Sequence, residues 1–409
     1  MTPHKHILLA ITGGIAAYKS CELVRLLKKA GHEVTVAMSH SATEFIHPNT
    51  FQALSGNPVL LDTHGSSGGN GMAHINLTRE ADVMLIAPAS ANTIAKIAHG
   101  IADNLISNLV AARTCPLVIA PAMNVQMWFN PANLRNIQQL KDDGVVILEP
   151  ASGEQACGEI GVGRMLEAAQ LADLLPDVWA SKSLFGMKVM ITTGATFEAI
   201  DPVRGITNIS SGQMGIALAR ACRRAGAEVT LVYGQVQAAL PDGMAHNIEA
   251  ISAEAMYRAV HQHIANQDVF ISVAAVADYK VKNSSEQKIK KQIGVAPVIE
   301  LTENPDILAS VSMLDNPPFC VGFAAESHDL LNHARAKRIR KNVPLLVANL
   351  VGEAMGKATN HVTLIDDKAE TELPAMGKDQ VAEAIVSRVA ELMPKHKRPV
   401  NRYWGLQAA

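Results

Sequence analysis

The sequence predicts an α/β protein made of two doubly wound, Rossmann-like domains with mostly parallel sheets. Three observations carry that reading. Short apolar runs alternate with amphipathic stretches of helical period along the whole chain. The pattern restarts near residue 188 with an opening like the first, HILLAITGG…LLKKAGHEVTVAMS against KVMITTGA…ACRRAGAEVTLVYG. The length of 409 residues exceeds what one ordinary core organises.

Residues 6–11 read as the first strand and Gly13-Gly14 as a tight turn. Residues 19–30 read as a helix, because Leu23, Val24, Leu26, Leu27 and Ala30 recur at helical spacing and Gly31 supplies a stop. Strands are expected at 34–37, 83–87, 116–120 and 145–148. Residues 93–112 read as one helix through Ile94, Ile97, Ala98, Ile101, Leu105 and Leu109. After a junction near 178–187, strands are expected at 188–193, 229–232, 269–274, 321–324 and 345–348, with a helix at 215–225. The expected domains are therefore residues 1–180 and 187–409. Shared architecture is enough to make the two openings alike, so duplication is not inferred. Residues 283–293 and the tail from Lys395 are polar and expected to be mobile.

Hydrophobic residues make up 48 % and charged residues 18 %, with a formal net charge of -2, so nothing calls for a nucleic acid or an anionic membrane as partner. The opening MTPHKHILLAITGG enters a strand at once without the layout of a secretory signal, and the apolar runs are strand-sized. The five cysteines, Cys21, Cys115, Cys157, Cys222 and Cys320, are odd in number and have no metal-ligand spacing. A reduced, cytoplasmic protein is the expectation.

A strand running into Thr12-Gly13-Gly14 and then a helix presents backbone N–H groups and a helix N-terminus to an anion, usually a phosphate. Many α/β proteins need glycine there only for the turn. The second strand ends in Ala37-Met38-Ser39, and its counterpart in the second half ends in Val232-Tyr233-Gly234. Neither offers the acidic residue that holds the ribose of a dinucleotide, and no full GxGxxG is present, which disfavours an NAD-dependent dehydrogenase. A mononucleotide such as FMN is compatible.

Five segments of the first half, ITGGIAAYK (11–19), MAHINL (72–77), APASANTIAKIAHGIADNL (87–105), PAMN (121–124) and ACGEIGVGRM (156–165), occur in order. Together they resemble the homo-oligomeric flavin-containing cysteine decarboxylases over most of residues 5–178. The resemblance implies FMN as cofactor and makes His74 the catalytic base. A bare histidine among fifteen would more often have no role, but its near-neutral pKa suits the task. Asn124, beyond the C-terminal end of a strand, would hold the substrate carboxylate without blocking its loss as CO2; read alone it is equally a turn former. Cys157, in a stretch dense with glycines at 153, 158, 161 and 163 that reads as a mobile flap, would supply a proton, with Arg164 and Met165 in support. Gly13, Gly14, Ser39, Ser90 and Asn92 are the flavin-contact candidates, Ser90 being also a natural helix N-cap. The implied chemistry is redox-neutral: oxidation of the cysteine end to a thioaldehyde, loss of CO2 to an enethiol, and reduction with a proton from Cys157.

Residues 188–392 resemble phosphopantothenate–cysteine ligase through IDPVRGITNISSGQMG (200–215), AAVADY (274–279), KIKK (288–291), NPDIL (304–308), GFAAE (322–326) and AKRIRKN (336–342). That resemblance implies activation of a carboxylate by CTP as an acyl cytidylate, followed by attack of the cysteine amine. Asn208 would contact that intermediate, from a Ser/Gly-rich turn opening a helix. Lys288 would fold over the triphosphate from a flexible basic segment; a lone KIKK is more often a solvated charge run. Ser272, Val273, Ala274, Asn304, Pro305, Asp306 and Ile307 would line the nucleotide pocket. Phe323 would stack on the pyrimidine, and Asp278, following a strand read at 271–276, would serve the cytidine or a metal. Lys337 and Lys341 share one helix face and would reach the nucleotide, though a surface basic helix looks the same. Magnesium is expected with the triphosphate.

The chain departs from the ligase pattern at Ala195, within the usual GPTxE whose variable position is filled by Phe197, at Gln213, where SSGKMG has lysine, and at Ile209, where histidine is common. LDTHGSSGGNG, just before His74, is an unusually glycine-rich stretch. The two resemblances imply small-molecule substrates, 4'-phosphopantothenate, cysteine and CTP, for a homo-oligomer. Flavin domains would form trimers with FMN at a subunit interface and ligase domains dimers, symmetries that combine into a dodecamer. A flavin-binding regulatory homologue and a decarboxylase with an impaired ligase half are the alternatives. A peptidyl-cysteine decarboxylase or a flavin prenyltransferase would have no need of the second half.

Overall fold

The computed structural model describes residues 4–61, 73–291, 298–350 and 359–393. The chain divides into two compact units, Met1–Val178 and Trp179–Ala409. In the first, six strands form one sheet in the order Leu60–Leu61, Glu33–Met38, His6–Ile11, Val83–Ala89, Leu117–Pro121, Val146–Ile147. Every neighbouring pair is parallel. This is the doubly wound order, third-second-first-fourth-fifth-sixth, whose reversal falls between the first and fourth strands and opens a crevice beyond their C-terminal ends. All seven residues of Val83–Ala89 are buried, because a parallel sheet is covered on both faces. That is why its sequence shows a continuous apolar run instead of alternation.

The first helix is Ala17–Lys29, with Leu23, Val24 and Leu27 buried. The single helix expected over 93–112 is two, Ala91–Ala98 and Leu105–Ala112. Gly100 at φ +68° ends the first, and the Asn104–Ser107 capping box starts the second. Apolar spacing runs across the break, but a left-handed glycine and a reciprocal N-cap outweigh it.

In the second unit the same order recurs: His246–Glu249, Glu228–Tyr233, Lys188–Thr193, Val269–Ser272, Phe319–Glu326, Leu345–Leu350. These six are parallel. Thr363–Asp366 and Glu370–Glu372 extend the sheet antiparallel, two strands that the sequence reading did not mark. The strand expected to reach Ala274 or Val276 stops at Ser272. Val273 packs against the core, and a Cβ on Gly215 would lie 3.0 Å from its Cγ1. The helix expected at 215–225 runs Gln213–Arg224. The glycine-rich stretch at 62–71 and the tail from Lys395 lie outside the described residues.

Candidate functional sites

The strand ends of the first unit are joined by Thr12. Its hydroxyl donates to the Pro88 carbonyl at 2.7 Å and accepts from the Ser90 N–H at 2.9 Å, locking the first and fourth strands together at the crevice. Gly13 lies so close to Ser41 that a Cβ would sit 2.5 Å from its Oγ, so the chain needs glycine here for approach. Ser39 Oγ accepts from the Ala42 N–H, and Ser90 Oγ caps the next helix by accepting from the Thr93 N–H. Asn92 is exposed.

A cavity of about 590 Å³ opens beside this crevice. Gly14, Lys19, Asn124, Cys157, Arg164 and Met165 are among its lining residues; Gly13, Ser39, Ser90 and Asn92 are not. The structure thus brings Asn124 and Cys157 to one wall, with only Gly14 of the flavin candidates. His74 lies on the helix Ala73–Glu80, and its side chain is outside the described residues.

Asn124 follows Leu117–Pro121 and caps the short helix Val125–Trp128, its Oδ1 accepting from the Gln126 N–H at 2.8 Å. Its Nδ2 reaches Cys157 Sγ at 3.4 Å, Gln155 Oε1 at 3.2 Å and Glu159 Oε2 at 2.6 Å. The stretch read as a flap without strands is in fact a β-hairpin, Ala151–Glu154 against Ile160–Arg164, with Cys157 at its exposed tip. Glycines that suggested looseness instead permit tight seating. A Cβ on Gly163 would meet the Met123 carbonyl oxygen at 2.2 Å, and one on Gly161 would meet Val125 Cγ2 at 2.6 Å. The Met123 N–H donates to the Gly163 carbonyl at 2.9 Å, and the Val125 N–H to Gln155 Oε1 at 3.1 Å.

Gln155 therefore positions the cysteine, a role the sequence reading missed. Lys19, in the quoted ITGGIAAYK segment, was also passed over. It is only 7 % exposed and donates to the Met165 carbonyl at 2.9 Å and to Glu167 at 2.6 Å, tying the hairpin's base to the first helix. Its charge is thereby balanced within the wall. Cys222 and Cys320, by contrast, are buried thiols, each pushed up to about 12 by desolvation.

In the second unit a cavity of about 740 Å³ lies beyond the ends of the Val269–Ser272 and Phe319–Glu326 strands. It is lined by Ser272, Ala274, Asp278, Asn304, Pro305, Asp306, Ile307, Phe323, Lys337 and Lys341, ten residues singled out from the sequence; Arg340 and Glu326 join them. The helix Leu330–Arg340 brings Lys337 in, and burial lowers its pKa, with Arg340 adding to that and Glu326 and Asp278 opposing. Burial likewise lowers Lys341, which pairs with Asp306. The Asn304 N–H donates to the Asp278 carbonyl and its Nδ2 to the Ala277 carbonyl, both at 2.9 Å. Asn304 Oδ1 is buried without a partner among the described residues. Val273, Asn208 and Lys288 do not line this cavity. Asn208 is exposed and donates to the Ala275 carbonyl at 3.2 Å, beside the left-handed Gly212 that starts the helix Gln213–Arg224. Lys288 is exposed, and the backbone next to it is tied down: the Ile289 N–H donates to Asp201 and the Ile289 carbonyl accepts from Arg204. Among the described residues no three His, Cys, Asp or Glu side chains are grouped to hold a metal ion.

Comparison with known proteins joins the two halves. The family described as Flavoprotein matches residues 1–178, and the DNA/pantothenate metabolism flavoprotein C-terminal domain matches residues 184–393. The chain is 45 % identical over 397 residues to the Coenzyme A biosynthesis bifunctional protein CoaBC of Vibrio cholerae, covering 95 % of this chain and 98 % of that protein. It is 40 % identical over 395 residues to the CoaBC protein of Escherichia coli K12, covering 94 % and 96 %. The chain belongs to the CoaBC family. A solved C-terminal domain of a CoaBC protein is 36 % identical and covers 52 % of this chain and 97 % of that one, with a TM-score of 0.45.

The departures from the ligase pattern at Ala195 and Gln213 have local explanations. The Ala195 N–H donates to the Gln235 carbonyl at 3.0 Å, a bond that proline cannot make. Phe197 lies over Gly205, where a Cβ would come within 2.3 Å of its ring, and Gln213 Oε1 accepts from Lys378 at 3.4 Å. Ile209 is 85 % exposed, and nothing in the structure explains it.

Proposed function

We propose that this chain performs two consecutive steps of coenzyme A biosynthesis. Residues 187–409 join 4'-phosphopantothenate to cysteine at the expense of CTP, through an acyl cytidylate. Residues 1–180 then decarboxylate the 4'-phosphopantothenoylcysteine formed, giving 4'-phosphopantetheine. The observation that carries the decarboxylase reading is the convergence of Asn124 and Cys157, 3.4 Å apart on one cavity wall.

FMN would be held at the crevice of the first unit by the close-packed Gly13 turn and by Ser39, Ser90 and Asn92 beyond the strand ends. When bound, it supplies a reversible two-electron oxidation at the cysteine end of the substrate. The remaining work falls to side chains. Asn124 donates an N–H to the substrate carboxylate and, being neutral, does not favour the charged ground state over the departing CO2. Cys157 delivers a proton to the enethiol carbon left behind, and the hairpin that carries it shields that carbon from water. His74 serves as base at the start of the sequence.

In the second unit, Lys337 and Lys341 neutralise the triphosphate, and Asp278 would help hold Mg2+, which would supply further charge neutralisation. Phe323 stacks on the pyrimidine, and Asn304 Oδ1 is an acceptor that the cytosine amino group would satisfy. Asn208 and the turn at Gly212 hold the acyl cytidylate, and Lys288 closes from outside the cavity. No described helix is long and apolar enough to cross a membrane, and a cytoplasmic homo-oligomer of trimeric flavin and dimeric ligase domains is the setting we infer.

A one-pot reaction of 4'-phosphopantothenate, cysteine, CTP and Mg2+ tests the reading. CMP and CO2 should appear together from a yellow protein. CO2 released only from ready-made 4'-phosphopantothenoylcysteine would identify a decarboxylase with an impaired ligase, with Gln213 as the suspect. Neither product from a folded, yellow protein would identify a regulatory homologue.

A further inference from the structure

The reaction above uses Asn124 and Cys157 but leaves Glu159, two residues further along the hairpin tip, without a task. An amide NH2 has two hydrogens to donate, yet three acceptors compete for that of Asn124. Glu159 is the nearest at 2.6 Å and the only carboxylate, against Gln155 at 3.2 Å and Cys157 at 3.4 Å. Charge-assisted bonds of this length are roughly twice as strong as neutral ones. Gln155 has an independent hold on the Val125 N–H, so its place does not depend on winning this competition. The other end of the Asn124 amide is committed to the Gln126 N–H, which fixes the NH2 toward the hairpin.

The geometry points to Glu159 as a carboxylate gate: it occupies the Asn124 N–H that the substrate carboxylate needs, and substrate binds by displacing it. The inference rests on Asn124 being the carboxylate's partner. Two carboxylates cannot share that N–H at hydrogen-bond distance without strong repulsion. Glu159 is exposed, so turning it out to solvent costs little. The product has lost its carboxylate and leaves Glu159 in place. Once CO2 departs, Glu159 can therefore reclaim Asn124 and draw the tip, with Cys157, back against the cavity. The gate handicaps substrate binding alone and favours the seated hairpin when the proton is delivered.

The test uses the full-length, FMN-loaded enzyme with Glu159→Gln, which keeps shape and removes charge, and Glu159→Ala, which removes the acceptor. The KM for 4'-phosphopantothenoylcysteine should fall about fivefold in Glu159→Gln and at least as far in Glu159→Ala. The Kd of 4'-phosphopantetheine should not move. An unchanged or raised KM, or substrate and product shifting by the same factor as a purely structural residue would give, overturns the gate. Asn124→Ala separates the two levels of the argument. If it leaves KM unchanged, the carboxylate assignment of Asn124 fails and the gate with it. If it raises KM while the Glu159 variants show no gain, the gate alone fails.

Discussion

Both cavities open beyond the C-terminal ends of strands in sheets of the same order, yet they are furnished in opposite ways. In the first unit the groups at the tip are a side-chain amide, a thiol and a carboxylate, and the lysine in the wall is already bound to Glu167. In the second, Lys337, Arg340 and Lys341 line the cavity together with Asp278, Asp306 and Glu326, and Lys341 pairs with Asp306. The difference teaches what each reaction requires of a similar scaffold. A carboxylate that must leave as CO2 is better held by a neutral donor, since a full cation would stabilise the charged ground state more than the charge-dispersed transition state. A triphosphate keeps its charge and is suited by cations held in a partly buried wall.

The sharpest way to break this comparison is Cys157→Ser. Loss of a general acid costs about 10²–10⁴-fold, so formation of 4'-phosphopantetheine, the step that follows CO2 loss, should fall by that factor while CMP release is unaltered; parallel loss of both would mean the halves are not chemically separate. Gly163→Ala comes next. The added Cβ would strike the Met123 carbonyl oxygen at 2.2 Å, at a φ of +148° that disfavours side chains. Displacing the hairpin by about 1 Å should cost on the order of 10²-fold in 4'-phosphopantetheine formation, with flavin absorbance retained.

Lys337→Ala should raise the KM for CTP about 10- to 100-fold, the worth of a charge-assisted contact, and leave decarboxylation of supplied 4'-phosphopantothenoylcysteine alone. The smallest effect is a pH dependence. Burial lowers the pKa of Lys337 below the ordinary 10.5. As pH rises through that lowered value the ammonium is lost, so the KM for CTP should increase, by at most about tenfold per pH unit. In Lys337→Arg, whose guanidinium stays charged, that rise should disappear from the KM profile.

Much of this was legible in the residues. Continuous apolar runs of strand length, separated by helical periods, identify covered parallel sheets, because burial on both faces removes the alternation that exposed sheets show. Ten of the nucleotide-pocket candidates meet at one cavity because they lie in or just past the strands Val269–Ser272, Leu301–Glu303 and Phe319–Glu326 or along the helix Leu330–Arg340 and its end. Val273 does not, since its neighbour Ser272 ends the strand and Val273 turns into the core. The helix break at Gly100 was hidden because apolar spacing continued across it. Gln155 and Glu159 were not distinguishable from polar turn residues, since nothing local marks a glutamine or glutamate whose partner is some thirty residues away.

Composition and periodicity by themselves determined two α/β units and the doubly wound class, because these follow from where apolar area must be buried. The seating of the Cys157 hairpin was decided only in three dimensions. It depends on two glycines fitting against Met123 and Val125, on a glutamine bonding across the chain, and on three acceptors competing for one amide. Sub-ångström fit between distant segments has no periodicity, and so leaves no trace in the order of residues.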